Sequence, residues 1–384
     1  MKQRLKWADG LKGLAAVMVF SHHMLMGFLP AAYYGGSEQS LVSWDSAFAV
    51  SPLSVFFCGN FLVHIFCLLS GMIMTRVMAG KSDTERALTL VKRYFRLMLP
   101  VLVTSLLILL LKALNVYNAQ GPYNVTHAWE WYTGFFDENL NLWQVITDSL
   151  FGLWATDNAM ANTAFWMLPA ILYGSLYAAL HLFLREKLGR RMVWIDLLAA
   201  LIALWGGSMV ASAVVGCCLA ERPEREEKPT GKAIGVLMLL AGLFLGGYPS
   251  MAQPTGIYAA LDILPQELKT PFAWHWLGAF LTVAGILRLK GAQRVLSWRP
   301  FTWLGSVSYS VFLIHMPFLF IFSTRLFSFL YVRIPDYSLV CLILWVVSIA
   351  MLLPCAWLWH ITAEKGCSLL TERIVAKLRR QPAE

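Results

Sequence analysis

The sequence predicts an all-α, polytopic integral membrane protein of about ten transmembrane helices, with the N-terminus and C-terminus both cytoplasmic. Three observations carry that reading. Of the 384 residues, 58% are hydrophobic and only 14% charged, where soluble domains carry about 25% charged residues. Apolar runs recur that can cross a bilayer core, which takes ~20 helical residues. Lys and Arg gather between alternate runs, as they do when cations orient a chain with its positive loops inside.

The runs lie at 11–29, 56–79, 97–114, 165–184, 233–250, 272–289, 303–330 and 338–360. A further run, 193–220, is broken by Gly206-Gly207 and reads as one tilted helix or two short ones. Two helices leave 27 of the 31 Lys and Arg on inner segments, with Lys112, Lys269, Arg325 and Arg333 as the exceptions. One helix would invert the last basic groups, so ten passes are preferred. The cost is short spans, since fourteen residues reach only about 21 Å. The organisation expected is a transmembrane domain over 1–362 and a basic cytoplasmic tail over 363–384.

The net charge of +9 therefore reports topology. No basic stripe with interleaved aromatics stands apart from the apolar runs, so nucleic acid is not an expected partner; the lipid bilayer is. The seven cysteines form no CxxC pair and sit mostly in apolar stretches, where a thiol packs as a small hydrophobe. The start (Lys2, Arg4, Lys6, then an apolar run) is like that of a signal peptide. Asp9, Lys12 and a histidine pair interrupt it and no A-x-A site follows, so a retained helix is expected.

The outer segment 115–163 carries Glu130, Asp137, Glu138, Asp148 and Asp157 with no Lys or Arg, and is rich in Trp, Tyr and Asn. That composition suits carbohydrate stacking and hydroxyl bonding, and equally an interfacial aromatic belt. Asn124-Val125-Thr126 is a glycosylation sequon of little weight by itself.

Ionisable groups inside a membrane are costly and point to function. Lys12 and His23 are eleven residues apart, which on a helix places them within about 20° of one face and ~16 Å apart. Asp9 shares that face, and His22 points about 100° away. Imidazole is the side chain that serves as a general base near neutrality; the bland alternative is a buried histidine bonded to a carbonyl. A second cluster, Lys92-Arg93-Tyr94-Phe95-Arg96, precedes the third run. Such cations set topology and touch lipid headgroups, or hold the phosphates of a nucleotide-like donor. His22, Ser70, Asn162, Trp166, Tyr309 and His315 are further candidates for an acceptor or structural site. Ser70-Gly71, after His64, also suits close helix packing. No Walker A, GxGxxG, HExxH or GxSxG context occurs, and no metal site is expected.

In this order the motifs resemble acyltransferase family 3, the integral-membrane acyltransferases that modify sugars and lipids. Asp9-Gly10-Leu11-Lys12-Gly13-Leu14 with His23 resembles the family's opening helix and its Arg/Lys-x10-His spacing. Val63 to Met72 is similar to its V-x-[IL]-F-F-V-L-S-G-F, and Lys92 to Pro100 to its R-R-x-x-R-[IL]-x-P, with Lys in place of the first Arg. Leu304 to His315 resembles its L-G-x-[IV]-S-Y-S segment ending in His. Asn162, Trp166 and Pro169 fit a fourth pattern. There the sequence departs from the family: the Glu usual five residues after that Trp is Ile171. Gly174-Ser175 and Gly246-Gly247-Tyr248-Pro249 are reminiscent of some fungal members.

The resemblance implies acyl transfer, commonly of acetyl, from acyl-CoA as donor substrate to a hydroxyl of a carbohydrate or glycolipid, with no bound cofactor. Lys92, Arg93 and Arg96 would hold the donor's phosphates. His23 would act as general base or carry the acyl group, with Lys12 and Asp9 setting its field. The expected location is the plasma (inner) membrane; acceptor identity and oligomeric state, a homo-oligomer included, stay open. The rival readings are a proton-coupled secondary transporter, which predicts an inverted repeat that is not found, and a catalytically idle relative suggested by Ile171.

Overall fold

A computed structural model describes residues 5–36, 38, 40–118, 120–128, 131–132, 134, 140–156, 161–221, 229–264 and 270–380. Glu130, Asp137, Glu138, Asp157, Lys269 and the basic residues Lys2, Arg4, Arg222, Arg225 and Lys228 lie outside the described residues. Within them the chain is helical, with no strand. The long helices are α1 (Lys6–Phe28), α2 (Gly59–Met78), α3 (Asp83–Ala113), α4 (Leu168–Leu188), α5 (Met192–Trp205) and α6 (Val210–Ala220). They continue as α7 (Pro229–Gly246), α8 (Thr270–Arg288), α9 (Arg299–Phe318), α10 (Tyr337–Trp359) and α11 (Lys365–Arg380).

A helix stands at each expected apolar run, and the run broken at Gly206-Gly207 is two helices, α5 and α6, packed on each other. Among the described residues, seven helices are long and apolar enough to cross a membrane. An eighth span is reached if α8 and the short helix Lys290–Leu296, bent by 100°, count as one. The protein is thus a multi-pass membrane protein.

Two boundaries differ from the sequence reading. The third helix begins at Asp83, so Lys92 to Arg96 lie inside it, not before it. The cause is local: Ser82 Oγ accepts from the Glu85 amide while the Glu85 carboxylate accepts from the Ser82 amide, a capping box that starts the helix upstream of the cations. The segment from 365, read as a tail, is a helix that continues α10 through a π-turn at His360–Glu364 and packs along α3.

Helices α1, α2 and α9 form the interior. α1 packs on α9 and α2, and α2 on α4, α6 and α8. The α2–α6 crossing is a backbone contact: a Cβ on Gly71 would sit 2.1 Å from the Ala213 carbonyl oxygen. Small residues bring membrane helices this close, as expected for Ser70-Gly71. α5 and α10 lie at the periphery, with Trp194, Leu198, Ile202 and Trp205, and Leu342, Val346 and Leu358, exposed. An apolar band of that size needs a nonaqueous surrounding, and lipid supplies it.

Candidate active site

The site begins on α1. Asp9 and Lys12, three residues apart and hence on one face, form an ion pair at 2.9 Å. Beside Lys12, Gly13 lets α1 meet α9 backbone to backbone; a Cβ there would lie 2.4 Å from the amide nitrogen of Gly305. That contact sets the register of two helices whose polar residues recur further along. His23 of α1 stacks on His315 of α9, ring centroids 5.1 Å apart and planes 28° apart.

The two rings have different partners. His315 Nδ1 is 2.7 Å from the Phe312 carbonyl oxygen, so in the neutral ring Nδ1–H donates and Nε2 keeps its lone pair. His315 Nε2 and His23 Nδ1 are buried and find no hydrogen-bond partner among the described residues. Buried polar atoms left unsatisfied are costly and deserve a role. His22 is held differently: its Nδ1 donates to the Phe57 carbonyl oxygen at 2.8 Å, and its ring meets Tyr33 edge-on at 4.8 Å. Burial raises the Tyr33 phenol above its ordinary value, so it stays neutral beside that ring. His64, also buried, pairs with Ser212 Oγ at 2.8 Å across the α2–α6 contact and holds helices together.

A cavity of about 280 Å³ opens between α1, α2, α3, α4, α9 and the start of α11. Lys12, Ser70, Arg93, Arg96 and Tyr309 line it, and its apolar wall includes Ile171 and Phe312. Phe312 in turn lies 5.9 Å, centroid to centroid, from the His315 ring; His23 and His315 themselves do not line the cavity and stand behind this ring. Arg93 Nη2 donates to Ser70 Oγ at 3.0 Å, and Tyr309 OH to the Leu97 carbonyl oxygen at 2.8 Å. Lys92 does not line this cavity; it turns to Glu372 at 2.6 Å. Asn162 caps the 3₁₀ turn Thr163–Met167 and donates to the Leu313 carbonyl oxygen at 3.2 Å, pinning α9. Trp166 is exposed and lines no part of the cavity.

The structure adds residues that sequence reasoning missed. Glu364 and Ser368 also line the cavity. Glu364 accepts from Ser310 Oγ at 2.6 Å and from His360 Nδ1 at 3.0 Å, and Ser368 Oγ accepts from Arg96 Nη2 at 3.0 Å. With Glu372 they stand at i, i+4 and i+8, a helical stripe that was available in the sequence but lay in the segment read as a tail. At the far end of α1, a small crevice is lined by Tyr33, Ser54, Cys58 and Ser250. No group of His, Cys, Asp and Glu fit to hold a metal ion occurs among the described residues.

Membrane-length helices surround a cavity lined by guanidinium and ammonium groups, and Phe312 separates that cavity from the His23–His315 pair. The family model of the acyltransferase domain, that of acyltransferase family 3, matches residues 5–360, nearly the whole chain. The chain belongs to that family, and its general activity is membrane acyl transfer. No curated protein and no solved structure matches it.

Proposed function

We propose that the protein is an O-acyltransferase that takes an acyl group, commonly acetyl, from acyl-CoA and passes it to a hydroxyl of a cell-surface or exported carbohydrate or glycolipid. It would act in the inner membrane with both termini cytoplasmic. The observation that carries the reading is the cavity, with Lys12, Arg93 and Arg96 on its wall and Phe312, against His315 and hence His23, at its limit. Cations of this kind bind phosphate through charge-assisted hydrogen bonds, and a thioester arm would extend inward past them.

In the transfer step the acceptor oxygen attacks the thioester carbonyl carbon while a nitrogen of His23 takes the hydroxyl proton. The C–S bond then breaks, and the departing thiolate recovers that proton from the imidazolium. His315 fixes the plane of the His23 ring by stacking. Asp9 holds Lys12 on the α1 face that His23 shares.

The test is transfer of labelled acetyl from acetyl-CoA to candidate glycans by the purified protein. His23→Ala is expected to lower the rate by about 10²-fold or more, the usual worth of a general base. Transfer at the wild-type rate in that variant would refute the assignment.

A further inference from the structure

Two openings follow one seam between α3 and α11. Contacts pair Arg96 with Ser368 and then Lys92 with Glu372, so the helices run antiparallel. At the inner end the seam forms part of the cavity already described. On the other side of the Lys92–Glu372 pair lies a second opening of about 440 Å³, lined by Lys81, Glu85, Thr89, Lys92, Glu372 and Arg379 among others. Its carboxylates are engaged: Glu85 accepts from the Ser82 amide in the helix cap, and Glu372 pairs with Lys92. Lys81 donates to the neutral Thr89 hydroxyl at 3.1 Å, and the Glu85 carboxylate faces both Lys81 and Arg379 across the groove. Arg379 stands exposed at the far end. From Ser368 to Arg379 is eleven residues, or about 16 Å along the helix.

We propose that this groove holds the nucleotide end of the donor, with phosphate on Lys81, Lys92 and Arg379 in addition to the phosphate contacts of Arg93 and Arg96 in the cavity. The thiol-bearing arm continues past Lys92 into the cavity. The inference rests on acyl-CoA being the donor, and adds to it a binding site built by a helix beyond the matched domain. Glu372 is then a competitor, because it occupies the Lys92 ammonium that a phosphate would take. The same phosphate chemistry could come from an anionic lipid headgroup, and the experiment separates the two.

Wild type, the Lys81→Ala/Arg379→Ala double variant and Glu372→Gln are compared in phosphatidylcholine nanodiscs, with acetyl-CoA and with acetyl-pantetheine, which carries the same thioester and no phosphate. The double variant should raise KM for acetyl-CoA about tenfold, the scale of two solvent-exposed charge contacts, without the same shift for acetyl-pantetheine. Glu372→Gln should lower KM for acetyl-CoA. Equal shifts with both donors, or no shift, overturn the groove assignment while leaving acyl transfer intact. A shift that arises only when phosphatidylglycerol is added assigns the groove to lipid and also overturns it. A wild type that neither transfers acetyl from acetyl-CoA nor binds tritiated coenzyme A removes the donor reading and this inference together. Size-exclusion profiles matching wild type show that the variants are folded.

Discussion

Arg93 reaches Ser70 with one nitrogen, while its buried Nε has no hydrogen-bond partner among the described residues. A planar guanidinium anchored at one corner presents its other donors in fixed directions, which an ammonium on a flexible stem does not. Arg93→Lys is therefore expected to raise KM for acetyl-CoA about tenfold with a smaller change in kcat, since one charged hydrogen bond is worth ~1.5–3 kcal/mol. Steady-state kinetics with wild-type values for both constants would contradict this. At the same scale, the sequence disclosed Asp9, Lys12 and His23 because one helix carries all three and periodicity orders them. It did not disclose the His23–His315 stack, which depends on how two distant helices meet. Ile171 shows the same limit. Its side of α4 faces the cavity where the family usually has Glu, and the carboxylate on that cavity comes instead from Glu364.

Helices were legible where the bilayer dictates their length, because ~20 apolar residues are needed for each crossing. Where polar residues make the helix, hydropathy was silent. α3 starts two turns before its cations because of a capping box, and α11 was taken for a tail because its apolar face is narrow and packs on α3. The α1–α9 contact is the element on which the site depends, and it tolerates no side chain at position 13. Gly13→Leu should push the two helices apart and separate His23 from His315. Overpacking of this kind costs ~1–3 kcal/mol, so folded protein should persist with a lower thermal midpoint while acetyl transfer falls far more than stability does. A variant with wild-type turnover would show that the imidazole stack is dispensable. Gly242→Leu, at the close α7–α8 contact outside the cavity, where a Cβ would lie 2.5 Å from the Thr282 amide nitrogen, is the matched control: it should lose comparable stability with less effect per folded molecule.

For the whole molecule, the order of features along α1 gives the reaction a direction. Lys12 and Asp9 stand near its start, where the cation-lined cavity opens. His23 lies about 16 Å further on by helical rise, and the crevice of Tyr33, Ser54, Cys58 and Ser250 lies beyond its end. Cations also collect at the α3–α11 end, where the basic stretches favour the cytoplasmic side. A donor bound there and an acceptor approaching from the other end would meet at the imidazoles, so neither substrate need cross the bilayer. In reconstituted vesicles of defined orientation, acetyl-CoA should support transfer only when supplied to the face bearing residues 81–96 and 365–380. A membrane-impermeant glycan should accept acetyl from the opposite face. Equal rates with acetyl-CoA on either face would mean that the cavity is not the donor's route, whereas loss of transfer when both substrates share the donor face would establish passage of the acyl group along the axis of α1.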